Sequence, residues 1–251
     1  MALQEEFEVQ GNYLFRYRSK LPLLILPLGL FIYIYQEYMK LGTTEWAIEE
    51  LYPYICMVVA LIGLTIRVYT VGHTPQNTSG RNSSSGQLAD QLNTSGIYSM
   101  VRHPLYLGNF FMWLGIAMLT ENFWFVLTFM LAFWIYYERI MFAEEQFLRR
   151  KFKEEYLNWS EKTPAFLPSA KNYRPSKLSF SIRKVLKKEK NGLFAIFLLI
   201  FIFQYSEDIV KTGTISISWE FWTFAVLLTG LFYVTFKFLK KYTTLLHETG
   251  R

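Results

Sequence analysis

The chain has 251 residues, 52% of them hydrophobic, 19% aromatic and 18% charged. That apolar content excludes a disordered polymer, and one cysteine, Cys56, excludes a disulfide scaffold. An ordinary soluble domain would carry roughly 25% charge and fewer aromatics, so the composition points to a membrane protein with sizeable polar loops.

Six apolar runs follow in chain order, at 21–35, 54–66, 105–119, 123–137, 193–205 and 219–236. Several are shorter than the roughly 20 residues that cross a bilayer, but flanking Tyr, Trp, Arg and Lys extend them into the interface. Charge placement supports six spans. With a cytoplasmic N-terminus, the outer loops at about 40–53, 120–122 and 206–218 hold only Lys40 and Lys211. The other 24 of 26 Lys and Arg fall on the cytoplasmic side, a strong positive-inside asymmetry. It accounts for the net charge of +6 without nucleic acid. The expected fold is an all-α, polytopic membrane helix bundle of about six transmembrane helices. It reads as a single domain over 1–251, with both termini cytoplasmic and the first span an uncleaved one. The basic stretch Arg183, Lys184, Lys187, Lys188, Lys190 reads as a topology signal that also attracts anionic lipid heads. Cys56 reads as a packing residue, and His73 as a loop anchor.

Two polar inserts interrupt the spans on the cytoplasmic side. Gly72 to Arg102 is rich in Gly, Ser, Thr and Asn and reads as loop. Glu138 to about Ser160 reads as helix, because Leu148, Phe152 and Tyr156 repeat at four-residue spacing before Pro164 and Pro168 stop it. Four Asn-x-Ser/Thr triplets, at Asn77, Asn82, Asn93 and Asn158, all lie on that side and read as chance matches.

The densest polar constellation lies at the mouth of the third span, TSGIYSMVRHPLYLGN over 94–109. Pro104 suits a first helical position, so Arg102 and His103 precede the helix. The N–H groups of the opening turn lack helical partners and can bind an anion. A second constellation, Glu138, Arg139, Glu144 and Glu145, stands where the fourth span leaves the membrane. Acids there are costly if buried without a cation. The three histidines show no metal-ligand spacing, and no metal site is expected.

RHPLYLG at 102–108 followed by AEEQFLRRKFKEEYLNWSEKTPAFLP at 143–168 resembles the isoprenylcysteine carboxyl methyltransferase and phospholipid methyltransferase family. The match is strongest over 94–168, and the two spans within 191–251 carry no motif of it. The resemblance implies S-adenosylmethionine as methyl donor and a cofactor site on the cytoplasmic face. By position it implies cofactor contacts at Tyr98, His103, Pro104, Leu105, Tyr106 and Glu144, and along Asp90, Gln91, Leu92 and Asn93. Glu144 would pair with the donor's ammonium, and His103 with the helix start would take its carboxylate. Arg102, Arg139 and Glu145 are the candidates for positioning the acceptor.

Two departures stand out. The family's Phe-Gly is Phe152-Lys153 here, read as a minor surface change. An arginine tied to prenyl-cysteine recognition is replaced by Ile140, with Arg139 about 100° around the helix. The expected function is therefore an integral-membrane methyltransferase acting on a lipid or lipid-linked acceptor. That acceptor is a lipid A type phosphate, a phospholipid headgroup or a prenyl-cysteine carboxylate, and the setting is the bacterial inner membrane. The alternatives are a membrane reductase using a nicotinamide nucleotide and a non-enzymatic membrane interaction protein.

Overall fold

A computed structural model describes residues 2–18, 21–41, 47–78, 81–83 and 86–250. The elements are α1 (Leu3–Tyr17), α2 (Ile25–Lys40), α3 (Ala47–Gly72), β1 (Arg81–Ser83), β2 (Gly86–Leu88), α4 (Pro104–Met118), α5 (Phe123–Ser160), α6 (Ile182–Thr212) and α7 (Phe221–Tyr242). Each of the six apolar runs maps onto one helix, α2 to α7, and the protein is an all-α bundle. Among the described residues, four helices are long and apolar enough to cross a membrane: α3 from Glu50, α5, α6 and α7. The apolar α4 has only 15 residues, and α2 has 16.

α4 is the centre of the bundle. One buried cluster, including Cys56, Ala60, Ile116, Ile196 and Ile200, joins it to α2, α3, α6 and α7. A second, including Phe15, Tyr106, Phe129, Phe133, Tyr137 and Ile140, joins it to α1 and α5. Lipid is as apolar as leucine, so helices in a membrane associate by close packing of small residues. The α3–α4 seam is built that way. A Cβ on Gly108 would lie 2.8 Å from the Gly63 carbonyl oxygen, and one on Gly115 would lie 2.4 Å from the Cys56 carbonyl oxygen. Fully buried Cys56 is thus a packing residue.

Helix ends follow local chemistry. The Asn122 side chain accepts from the Phe125 N–H at 2.9 Å to start α5, and Ser181 Oγ accepts from the Lys184 N–H at 3.1 Å to start α6. Both satisfy N–H groups that a helix leaves without partners.

One feature was not anticipated, and two depart from the sequence reading. The polar α1 packs along the far half of α5, where Arg150 donates to both oxygens of Glu8 and the Arg139 guanidinium lies 3.4 Å from the Phe7 ring centre. The insert between α3 and α4 is not loop throughout. It contains a short antiparallel hairpin in which Arg81 faces Leu88. Lys153 is no minor surface change: α5 kinks there, with φ 47° and ψ −119°, a backbone region left in practice to glycine.

Candidate active site

The motif residues converge on one cavity of about 290 Å³. Its walls come from the second hairpin strand and the segment that follows it, over 87–93, from the approach to α4, and from α3, α5 and α6. Gln91, Leu92, Asn93, Tyr98, Arg102, His103, Pro104, Leu105, Tyr106 and Glu144 all line it. Three expected residues do not. Asp90 is exposed and absent from the lining. Arg139 faces away, bonded to Glu138 at 3.2 Å and stacked on Phe7. Glu145 stands one layer behind the wall. Ile140, at the position of the family's arginine, is fully buried in the α4–α5 core.

Local geometry explains how the wall is held. The N–H groups of Arg102 and His103 donate to the carbonyls of Pro164 (2.9 Å) and Ala165 (3.2 Å). The proline-rich segment that follows α5 thus straps the mouth of α4. Pro104 has no N–H, and Tyr106 N–H bonds the His103 carbonyl at 3.1 Å. The anion site expected from the opening turn therefore narrows to the Leu105 N–H. Gly96, at φ 61°, makes the turn that lets its N–H donate to the Arg174 carbonyl at 2.8 Å.

The two adjacent acids have separate tasks. Tyr106 donates its hydroxyl hydrogen to Glu144 Oε2 at 2.7 Å, and the Tyr106 ring stacks on His103 with centroids 5.5 Å apart. Glu145 is held at both oxygens, Oε1 2.9 Å from His103 Nε2 and Oε2 3.0 Å from Arg102 Nη1. A carboxylate only accepts, so His103 carries its hydrogen on Nε2. Glu145 thereby orients the two residues ahead of it rather than facing the cavity. Burial, then the Glu144 charge, pushes the Tyr98 hydroxyl well above its usual range, so Tyr98 stays a neutral phenol.

Two buried polar atoms on the cavity wall, Arg102 Nε and Gln87 Oε1, have no hydrogen-bond partner among the described residues. One is a donor and the other an acceptor. Desolvated groups of this kind cost free energy unless satisfied.

Sequence reasoning missed part of the wall. Arg67 of α3, Asn109 of α4, and Lys184, Lys188 and Glu189 of α6 also line the cavity. The basic stretch at the start of α6 is thus more than a topology signal: Lys184, Glu189 and Lys190 are buried. The hints were an arginine directly ending an apolar run, and one acid among the basic residues of 183–190.

A larger cavity, about 400 Å³, opens at the opposite end of the bundle. Both lysines that line it are paired with acids: Lys40 with Glu37 at 2.9 Å and with Glu121 at 2.5 Å, and Lys211 with Glu207 at 2.6 Å. None of the motif residues reaches it. Among the described residues no group of three or more His, Cys, Asp or Glu is arranged to hold a metal ion.

Fold and site together define an integral-membrane helical protein whose polar motif residues enclose a small-molecule cavity at one end of the bundle. Residues 51–155 match the phospholipid methyltransferase family model. That segment runs from α3 through the hairpin and α4 into α5. The chain is 37% identical over 90 residues to the nickel-cobalt-cadmium resistance protein NccN of Alcaligenes xylosoxydans xylosoxydans, covering 36% of this chain and 42% of that one. It is 41% identical over 76 residues to the protein-S-isoprenylcysteine O-methyltransferase of Schizosaccharomyces pombe, covering 30% of this chain and 32% of that one. To the enzyme of that name from Saccharomyces cerevisiae it is 29% identical over 104 residues, covering 41% and 42%. The matches span less than half the length of these relatives. No solved structure matches the chain.

Proposed function

We propose that this protein is an S-adenosylmethionine-dependent methyltransferase that modifies a lipid or lipid-linked acceptor at the membrane surface. The observation that carries the reading is the convergence of His103 and Tyr106 from the start of α4 with Glu144 from α5 on one cavity. The names of the isoprenylcysteine O-methyltransferase relatives support methyl transfer.

The residues present fit the donor's chemistry. Glu144 supplies an anion for an ammonium. The unsatisfied Arg102 Nε and the Leu105 N–H offer donors to a carboxylate. Gln87 Oε1 is an acceptor for an amino group on a heterocycle, and Tyr98 and Tyr106 present ring faces to a flat or cationic group. When bound, S-adenosylmethionine supplies an electrophilic methyl on a sulfonium.

The protein's task is then alignment and exclusion of water. His103 is fixed by Glu145 and stacked on Tyr106. Tyr106 in turn is fixed by Glu144, so the wall that meets the donor is pre-organised by two carboxylates. A carboxylate or phosphate acceptor arrives ionised near neutral pH and needs no base. Both oxygens of Glu145 are already engaged, which disfavours it as a base for an amine acceptor. The setting we propose is the cytoplasmic face of a bacterial inner membrane.

The test is methyl transfer by detergent-purified protein, using donor labelled on the methyl and a total lipid extract. Wild-type protein is expected to label a lipid band. Glu144→Gln is expected to fall at least tenfold in donor affinity while keeping its melting temperature within a few degrees. Absence of both label and donor binding in the wild type would reject the reading. Label that persists undiminished in Glu144→Gln would remove Glu144 from the site.

A further inference from the structure

α6 lies wholly outside the family-matched segment 51–155, yet it forms part of the cavity wall. Its Glu189 grips Arg67 of α3 through two bonds, Nε to Oε2 at 2.8 Å and Nη2 to Oε1 at 2.9 Å. Two parallel bonds fix the plane of the guanidinium as well as its position. The remaining arm of Arg67 donates to Asn109 Oδ1 at 2.7 Å, and Asn109 Nδ2 donates to the Tyr137 hydroxyl at 3.3 Å. Tyr137 packs against Tyr106, with ring centres 4.9 Å apart, and Tyr106 holds Glu144. An unbroken chain of contacts therefore runs from α6 to the glutamate at the heart of the motif. Arg67 also lies close enough for its charge to act on the Tyr98 hydroxyl.

The same helix holds the rim. Lys184 Nζ donates to Thr74 Oγ1 at 3.0 Å and to the Pro75 carbonyl at 3.1 Å. The chain continues from there to Thr78, whose carbonyl accepts from Asn93 Nδ2 at 3.3 Å. Thr78 and Asn93 both line the cavity.

We infer that Glu189 is a positioning residue of the methyl-transfer site: it sets the orientation of Arg67, and through Arg67 the donor-binding wall formed by Asn109, Tyr106 and Tyr98. The inference rests on the methyltransferase reading above. It means that α6 is a working wall of the site rather than an appended membrane anchor.

The experiment is a double-variant cycle on the full chain, with Glu189→Gln, Arg67→Gln and the pair. The readouts are donor KM, kcat and melting temperature. Glu189→Gln is expected to raise donor KM at least tenfold with a smaller change in kcat, and Glu189→Asp to restore part of the loss. In the Arg67→Gln background the further change of Glu189 to Gln is expected to leave KM unmoved, because nothing is left to orient. Breaking one side of a buried pair can prevent folding. The double variant removes both charges and guards against that outcome: a folded double variant with wild-type KM and kcat would overturn the inference. So would a Glu189→Gln protein whose melting temperature falls while its KM does not, or an equal KM effect in both backgrounds, which would mean direct contact with the donor. A wild-type protein that neither binds nor transfers would sink the methyltransferase reading and this inference with it. Normal wild-type transfer with an unaffected Glu189→Gln would sink this inference alone.

Discussion

At the residue scale, the motif positions were legible because their chemistry sits at fixed spacing. His103, Tyr106 and Glu144 meet on one cavity, since a helix start and a second helix bring them to one point. Neighbouring charges were not separable in the same way. Glu145 is adjacent to Glu144 and Arg139 lies on the same helix before it, but helical rotation turns Arg139 onto Phe7 and sets Glu145 behind His103. Lys153 gave no sign of its conformation. A lysine at φ 47° carries a strain of order 1–3 kcal/mol, part of which a glycine would return as lost chain entropy in the unfolded state. Lys153→Gly is therefore expected to stabilise the protein by about 1 kcal/mol, read as a higher melting temperature in detergent. An unchanged or lower value would mean that the kink costs nothing.

At the element scale, six of the seven α-helices among the described residues were announced by apolar runs, because lipid demands an apolar surface whatever the packing. The polar α1 and the hairpin were not, since tertiary contacts hold them. Arg150 fastens α1 at Glu8, and Gln87 of β2 donates to Asn12 of α1 at 3.2 Å. The α3–α4 seam carries a sharper consequence. A Cβ on Gly108 would meet Arg67 Cγ at 2.5 Å as well as the Gly63 carbonyl oxygen, so the glycine of the motif clears a path for the arginine that Glu189 holds. Gly108→Ala is expected to cost about 1–3 kcal/mol of stability through overpacking and to lose donor binding along with it. Gly230→Ala, where the new methyl would meet the Phe194 ring at 3.2 Å, is the control expected to keep binding. Equal donor affinity in the two variants would refute this account of Gly108.

At the scale of the whole molecule, the two ends of the bundle differ in kind. One end gathers the motif cavity; the other holds acids closed by Lys40 and Lys211. α6 joins two exposed positions, Lys171 before it and Thr214 after it. Single cysteines placed at each are expected to react with an impermeant thiol reagent from opposite sides of sealed vesicles, against the silent background of buried Cys56. Reaction of both from one side would contradict a transmembrane α6.

The shortness of α4 reaches further than the packing it permits. Fifteen residues rise about 22 Å, whereas the hydrocarbon layer is about 30 Å thick. By length alone this helix does not bring both of its ends to water. If the motif end is the sunken one, a lipid can present its headgroup there while its acyl chains stay among their neighbours. Each methylene that need not be drawn into water spares about 0.8 kcal/mol. A short central helix would then let the substrate be reached by tilting within its leaflet rather than by extraction from it.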